Sequence, residues 1–217
     1  MKLRIDLKII FFIIIFFFTG QLKIYLIILF FALLHELAHM IIGKIFGFNA
    51  ISFEINPIGF CIEMMPNREQ YSKKFLKSNI NDFYYIFVGL AGPLLNLIIA
   101  IIFIKWKFVS EQMLRYNDEI FYLREIIIYS NLLVGIFNLM PIFPLDGGRI
   151  LNSILRIIFG VEKGDKLINL ISNAFMILLT VACSILILYL KNISIIIVLI
   201  YLWILTIKEN RRYQLIE

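Results

Sequence analysis

Apolar runs long enough to cross a bilayer dominate this chain. Ile9–Gly20, Ile24–Leu34 and Leu178–Leu190 are almost wholly apolar. A helix rises 1.5 Å per residue, so about 20 apolar residues cover a hydrocarbon core of ~30 Å. Six segments approach that length: 8–20, 22–46, 82–104, 122–140, 168–190 and 192–208. The first is short, and only a turn near Lys191-Asn192 parts the last two. Of the 217 residues, 61% are apolar and 17% are charged, with a mean hydropathy of +0.91. A soluble domain carries about 45–50% and about 25%. One water-soluble core cannot hide this excess, and large contiguous apolar surfaces mark contact with a membrane or a partner. The expected fold class is an all-α polytopic membrane protein of about six transmembrane helices. Residues 1–217 form one domain in a lipid bilayer.

The charge pattern agrees. The formal charge is +6, from 21 Lys and Arg against 15 Asp and Glu. The basic residues sit beside apolar spans, as membrane-flanking residues do, so no nucleic-acid partner is expected. With a cytoplasmic N-terminus, 15 of the 21 Lys and Arg fall on cytoplasmic segments. The positive-inside rule then puts both termini in the cytoplasm. The opening Met1-Lys2-Leu3-Arg4 resembles the start of a signal peptide, but no Ala-x-Ala site follows, so a retained span is expected. Cys61 and Cys183 lack any paired spacing, so neither a disulfide nor thiolate ligation is expected.

One segment departs from the helical pattern. Between Ala50 and Met65, Ile51, Phe53 and Ile55 alternate with Ser52, Glu54 and Asn56, before Pro57-Ile58-Gly59 and Phe60-Cys61-Ile62. Period-two alternation around a Pro/Gly turn predicts a β-hairpin near 50–65. An open strand edge cannot face lipid, so it belongs at the interface or under protein.

The residues that point to chemistry lie in three places. His35-Glu36-Leu37-Ala38-His39 sits inside the second apolar span and contains the only two histidines of the chain. Positions i and i+4 share a helix face, so both imidazoles can reach one metal ion. Glu36 is turned roughly 100° from His35, beside an open coordination position rather than on the metal. This is the pattern of a zinc hydrolase with a Glu general base. A charged group in a membrane helix costs at least about 2.5 kcal/mol, so Glu36 needs a function or a structural partner. Zinc also needs a third protein ligand. Asp146 is the best placed acidic residue. It follows Asn138-Leu139-Met140-Pro141-Ile142-Phe143-Pro144-Leu145, where two prolines end a regular helix, and it precedes Gly147-Gly148. Read by itself, Asp146 could equally be a turn aspartate. In Gly89-Leu90-Ala91-Gly92-Pro93-Leu94-Leu95-Asn96, the small residues suit close helix packing, and Asn96 is a polar group at membrane depth that needs a partner. Gly43 and Gly47 form another small-residue pair, which suits packing and leaves the oligomeric state open.

Together HELAH at 35–39, AGPLLN at 91–96 and NLMPIFPLDGG at 138–148 resemble the site-2 protease family of intramembrane metalloproteases. The match covers about residues 22–156, the expected catalytic core. The resemblance implies Zn2+ held by His35, His39 and Asp146, with Glu36 as catalytic base. It implies that Asn138 lies near the active site and holds substrate or the oxyanion, while Asn96, by its own position, is either a substrate contact or a helix-packing residue. It also implies a membrane-associated hairpin after the HExxH helix. The partner it implies is a membrane-associated protein substrate, such as a pro-sigma or anti-sigma factor, with an inhibitory or regulatory membrane partner. The layout is nearest to the family's sporulation branch, with no PDZ domain expected between the motifs and, unlike that branch, no C-terminal CBS domain expected. The rival readings are a metal-ion transporter, which usually shows internal repeats, a non-catalytic membrane scaffold, and a zinc protease with a glutamate third ligand.

Overall fold

The computed structural model describes residues 2–56, 59–66, 78–110, 118–143, 145–190, 199–200, 202–204 and 206–207. In chain order these form β1 (Lys2–Ile5), α1 (Lys8–Phe18), α2 (Leu22–Ile45), β2 (Phe48–Asn56) and β3 (Gly59–Pro66). Then come α3 (Ser78–Ser110), α4 (Asp118–Asn138), α5 (Asp146–Phe159) and α6 (Val161–Leu190). The helical residues of 199–207 follow.

Among the described residues, four helices are long and apolar enough to cross a membrane: Leu22–Ile45, Asp82–Trp106, Ile120–Asn138 and Val161–Ile185. The chain is a multi-pass membrane protein. α1 has 11 residues, a rise of only about 16 Å, so it is too short to span by itself. α6 starts seven residues before the expected span at 168, because Glu162, Lys163, Asp165 and Lys166 in its first turns break the apolar pattern while continuing the helix. The expected turn at Lys191-Asn192 and much of the span at 192–208 lie outside the described residues.

The residues form two compact units, Met1–Lys77 with Leu90–Phe137 and Ser78–Gly89 with Asn138–Glu217. In the first, α2 is a helix of 24 residues. It ends where Phe46 donates to the Ile42 carbonyl and Gly47 to that of Lys44. Gly47 takes a φ of 86°, the left-handed cap that favours glycine. The chain then turns into the expected hairpin. β2 and β3 pair antiparallel with Phe53 opposite Ile62 and a bulge between Ala50 and Ser52. The turn residues Pro57 and Ile58 lie outside the described residues. Phe48 is buried at the start of β2, and Ile62 is buried in β3.

The sheet has a third strand that the hydropathy pattern does not announce. β1 pairs parallel to β2, giving the order β1-β2-β3. Arg4 bonds Glu54 across this pair at 2.8 Å, and the Asp6 N–H continues it to the Ile55 carbonyl. A parallel neighbour needs a crossover, which α1 and α2 supply. β1 covers the outer edge of β2. Among the described residues β3 has no strand on its far side.

In the second unit, α5 and α6 form a helical hairpin around Phe143, Leu155 and Ile168, with Leu151 and Ile171 packed on them. α5 stops at Gly160, whose φ of 84° requires glycine. Across the turn, Arg156 makes a two-pronged bond to Asp165, 2.6 Å from Nε and 2.9 Å from Nη2. Its Nη1 also lies 4.0 Å from the buried Asp82 of α3. This planar fork fixes where the hairpin sits against the start of α3.

Candidate metal centre

The HELAH helix does what its spacing predicts. His35 and His39 are both buried, at 3% and 6% exposure. Their Nε2 atoms lie 3.1 Å apart, and the rings meet nearly at right angles with centroids 4.7 Å apart. His35, Glu36 and His39 each offer a ligand atom, and these atoms lie within 4.8 Å of one another. The three residues can hold a metal ion.

Two neighbours shape this cluster. Gly92 of α3 lies directly against the imidazoles. A Cβ there would stand 2.6 Å from His35 Nε2 and closer still to His39 Nε2. The cradle that holds the two ligand nitrogens therefore exists only because position 92 has no side chain. Packing alone was the sequence expectation for this glycine, and its contact with the histidines is legible only in three dimensions. The second neighbour is β3, where the Ile62 N–H donates to Glu36 Oε2 at 3.3 Å. The carboxylate is thus held beside the outer edge of the hairpin, the side on which β3 has no partner strand among the described residues.

Asn96 follows Gly92 by one helical turn, on the same face of α3. It is fully buried, and neither end of its amide has a hydrogen-bonding partner among the described residues. Asn131 of α4 is equally buried and donates to the Ile127 carbonyl at 2.9 Å, while its Oδ1 has no partner among the described residues. Sequence reasoning did not single out Asn131. Its burial in a membrane helix is the signal that marks it.

Asp146 and Asn138 belong to the second unit. Asn138 ends α4 and is half-buried. Asp146 is the first residue of α5, at 9% exposure. The loop before it is short and tightly turned, with the Ile142 N–H bonded to the Met140 carbonyl at 2.7 Å and the Leu145 N–H to the Ile142 carbonyl at 2.8 Å. Gly147 and Gly148 let this loop lie on the first turn of α5. A Cβ on Gly147 would meet the Leu139 and Met140 carbonyl oxygens, and one on Gly148 would meet that of Ile142 at 2.7 Å. Asp146 is thus a buried residue on a helix turn packed against its own preceding loop.

Comparison with known proteins bears on this arrangement. The model of "Peptidase family M50" matches residues 110–182. The solved site-2 protease from Methanocaldococcus jannaschii superimposes with a TM-score of 0.66 at 25% identity, covering 95% of this chain and 89% of that one. The chain is similar to peptidase family M50 over residues 110–182 and to the site-2 protease fold over nearly its whole length. Two curated proteins are also similar to the chain. Zinc metalloprotease MJ0392 of M. jannaschii is 32% identical over 134 residues, covering 62% of this chain and 34% of the relative. Stage IV sporulation protein FB of Bacillus subtilis is 26% identical over 199 residues, covering 92% of this chain and 62% of the relative. The chain thus spans between about a third and just under two thirds of the length of these relatives. The M50 match includes Asn138 and Asp146, whereas HELAH lies outside it and rests on the geometry above.

Proposed function

We propose that this protein is an intramembrane zinc metalloprotease, with His35, His39 and Asp146 as ligands and Glu36 as general base. The observation that carries the reading is the convergence of His35 Nε2 and His39 Nε2 in the cradle left by Gly92, with the Glu36 carboxylate alongside. Two imidazole nitrogens and the Asp146 carboxylate would form the donor set of a catalytic zinc site, leaving a position for the water that Glu36 deprotonates. Zinc bound there would polarise the scissile carbonyl and make a water acidic enough to attack near neutral pH.

The chain's own residues supply the rest. Glu36 takes the proton of the attacking water at its carboxylate and returns it to the departing amine. β3, which has no partner strand on its far side among the described residues, would offer that edge to an extended substrate segment. Ile62 directs its N–H away from β2 to Glu36 Oε2, so the alternating edge groups of Phe60 and Met64 face the same way. A substrate strand added there would run past the general base, its backbone held by main-chain bonds. Asn96, whose buried amide has no hydrogen-bonding partner among the described residues, would bond a substrate peptide group one turn along α3 from Gly92. Asn138 would serve a similar role from the end of α4.

The substrate class we propose is a membrane-associated protein, such as a pro-sigma or anti-sigma factor, under the control of a membrane-embedded regulator. The distribution of Lys and Arg supports a topology with both termini in the cytoplasm. The test is co-expression of tagged pro-sigma and single-span anti-sigma candidates with the wild-type chain or Glu36→Gln. A shorter product with wild type alone is expected. Equal product from both would sink the assignment of Glu36 as the base.

A further inference from the structure

The loop before Asp146 is fixed by two hydroxyl groups that hold one peptide residue from both sides. The Phe143 N–H donates to Ser172 Oγ of α6 at 2.8 Å. The Phe143 carbonyl accepts from Thr206 Oγ1 at 3.0 Å. Thr206 shares that hydrogen with the Leu202 carbonyl of its own helical segment, at 2.9 Å. Ser172 and Thr206 are both fully buried, and Phe143 is 6% exposed. Pro141 and Pro144 flank this stretch and have no N–H. The loop therefore cannot satisfy itself as a helix would, and hydroxyls from elsewhere in the unit complete it.

The link to Asp146 is mechanical. The backbone of Leu139–Phe143 lies on Gly147 and Gly148, so closely that a Cβ on Gly148 would stand 2.8 Å from Phe143 N. A shift of the Phe143 peptide thus presses on the first turn of α5, where Asp146 sits. We infer that Ser172 and Thr206 are positioning residues, clamping the Phe143 peptide to fix the aim of the Asp146 carboxylate. This rests on the reading of Asp146 as a zinc ligand. Its consequence is that α6 and the 199–207 segment both set the affinity of the metal site, although neither supplies a ligand.

The test uses the full chain purified in detergent, loaded with zinc and titrated with a chromophoric chelator. Its variants are Ser172→Ala, Thr206→Val, Thr206→Ser and Asp146→Asn. Thr206→Val keeps the side chain's shape and removes the hydroxyl, whereas Thr206→Ser keeps the hydroxyl. Loss of an orienting outer contact typically costs 10–100-fold in metal affinity, so Ser172→Ala and Thr206→Val should each weaken zinc binding by about that factor. Thr206→Ser should stay within about threefold of wild type. Hydrogen exchange of the peptide covering 139–149 should quicken in the two hydroxyl-deleted variants and not in Thr206→Ser. Should Thr206→Val fail to fold, Ser172→Ala decides by itself. Zinc affinity within twofold of wild type in a folded hydroxyl-deleted variant would overturn the clamp, since a purely structural bond would lower stability alone. Unchanged zinc affinity in Asp146→Asn would instead overturn the ligand reading beneath it.

Discussion

Replacing Gly92 with alanine should remove the metal site while leaving the helices in place. The new Cβ would stand 2.6 Å from His35 Nε2 and 2.7 Å from His35 Cδ2, with His39 Nε2 nearer still, against an ordinary contact of 3.4–4 Å. One imidazole or the α3 backbone must therefore yield by at least about 0.8 Å, the gap between 2.6 and 3.4 Å, and by more at His39. Both rings are buried on the rigid helix α2, so neither can swing into open space. Metal–ligand distances tolerate only about ±0.2 Å. A displacement near 1 Å costs on the order of 10²-fold in rate even where the metal stays. Overpacking of this kind costs roughly 1–3 kcal/mol in stability, which a multi-span protein can survive. The assay is zinc content by mass spectrometry on purified protein, beside kcat/KM for a fluorogenic peptide. The expected result is less than a tenth of the wild-type zinc and cleavage lowered at least about 10²-fold. Gly43→Ala is the control, because the atom its Cβ would meet at 2.6 Å is Sδ of the flexible Met64, which can move aside. Wild-type zinc and kcat/KM within threefold in Gly92→Ala would refute the cradle argument.

Three further outcomes follow from the same geometry. Asn96→Leu should raise the unfolding midpoint, since a buried amide without partners costs about 1–3 kcal/mol, while cleavage falls; lower stability, or full activity, would contradict the role given to Asn96. Phe60→Pro removes an outward N–H from the free edge of β3 and should cut cleavage by tenfold or more with zinc content unchanged; full cleavage would exclude strand addition there. Asp146→Ala should abolish tight zinc binding, and a chelator titration identical to wild type would move the third ligand elsewhere.

The legible part of the fold was the part written locally. Apolar runs foretell membrane helices because burial in lipid depends on each segment's own composition, and the hairpin showed because its alternation is contiguous. β1 was invisible for the opposite reason. Lys2–Ile5 is four residues long and finds its partner 50 positions away at Ser52–Ile55. The end of α6 that carries Glu162 to Lys166 was missed because charge interrupts a hydropathy window without interrupting a helix.

The site divides in the same way. His35, Glu36 and His39 are three neighbours on one helix, so their meeting follows from 3.6 residues per turn. Gly92 could be read only as a packing residue, because its closeness to the imidazoles depends on how α3 lies against α2. Ser172 and Thr206 carry no signal at all. Their partners are the peptide groups of Phe143, and a sequence does not say which backbone groups a helix leaves wanting. Asp146 stands out by its prolines and glycines, and Gly147 and Gly148 are where the preceding loop lies on the first turn of α5.

The central claim is tested most directly by measuring zinc and cleavage in one purified sample of Glu36→Gln. The variant keeps both histidines and the shape of the side chain while removing the base. The account predicts about one zinc per chain and cleavage lowered by about 10²–10⁴-fold, the usual contribution of a general base. Cleavage at the wild-type rate with zinc bound would contradict it.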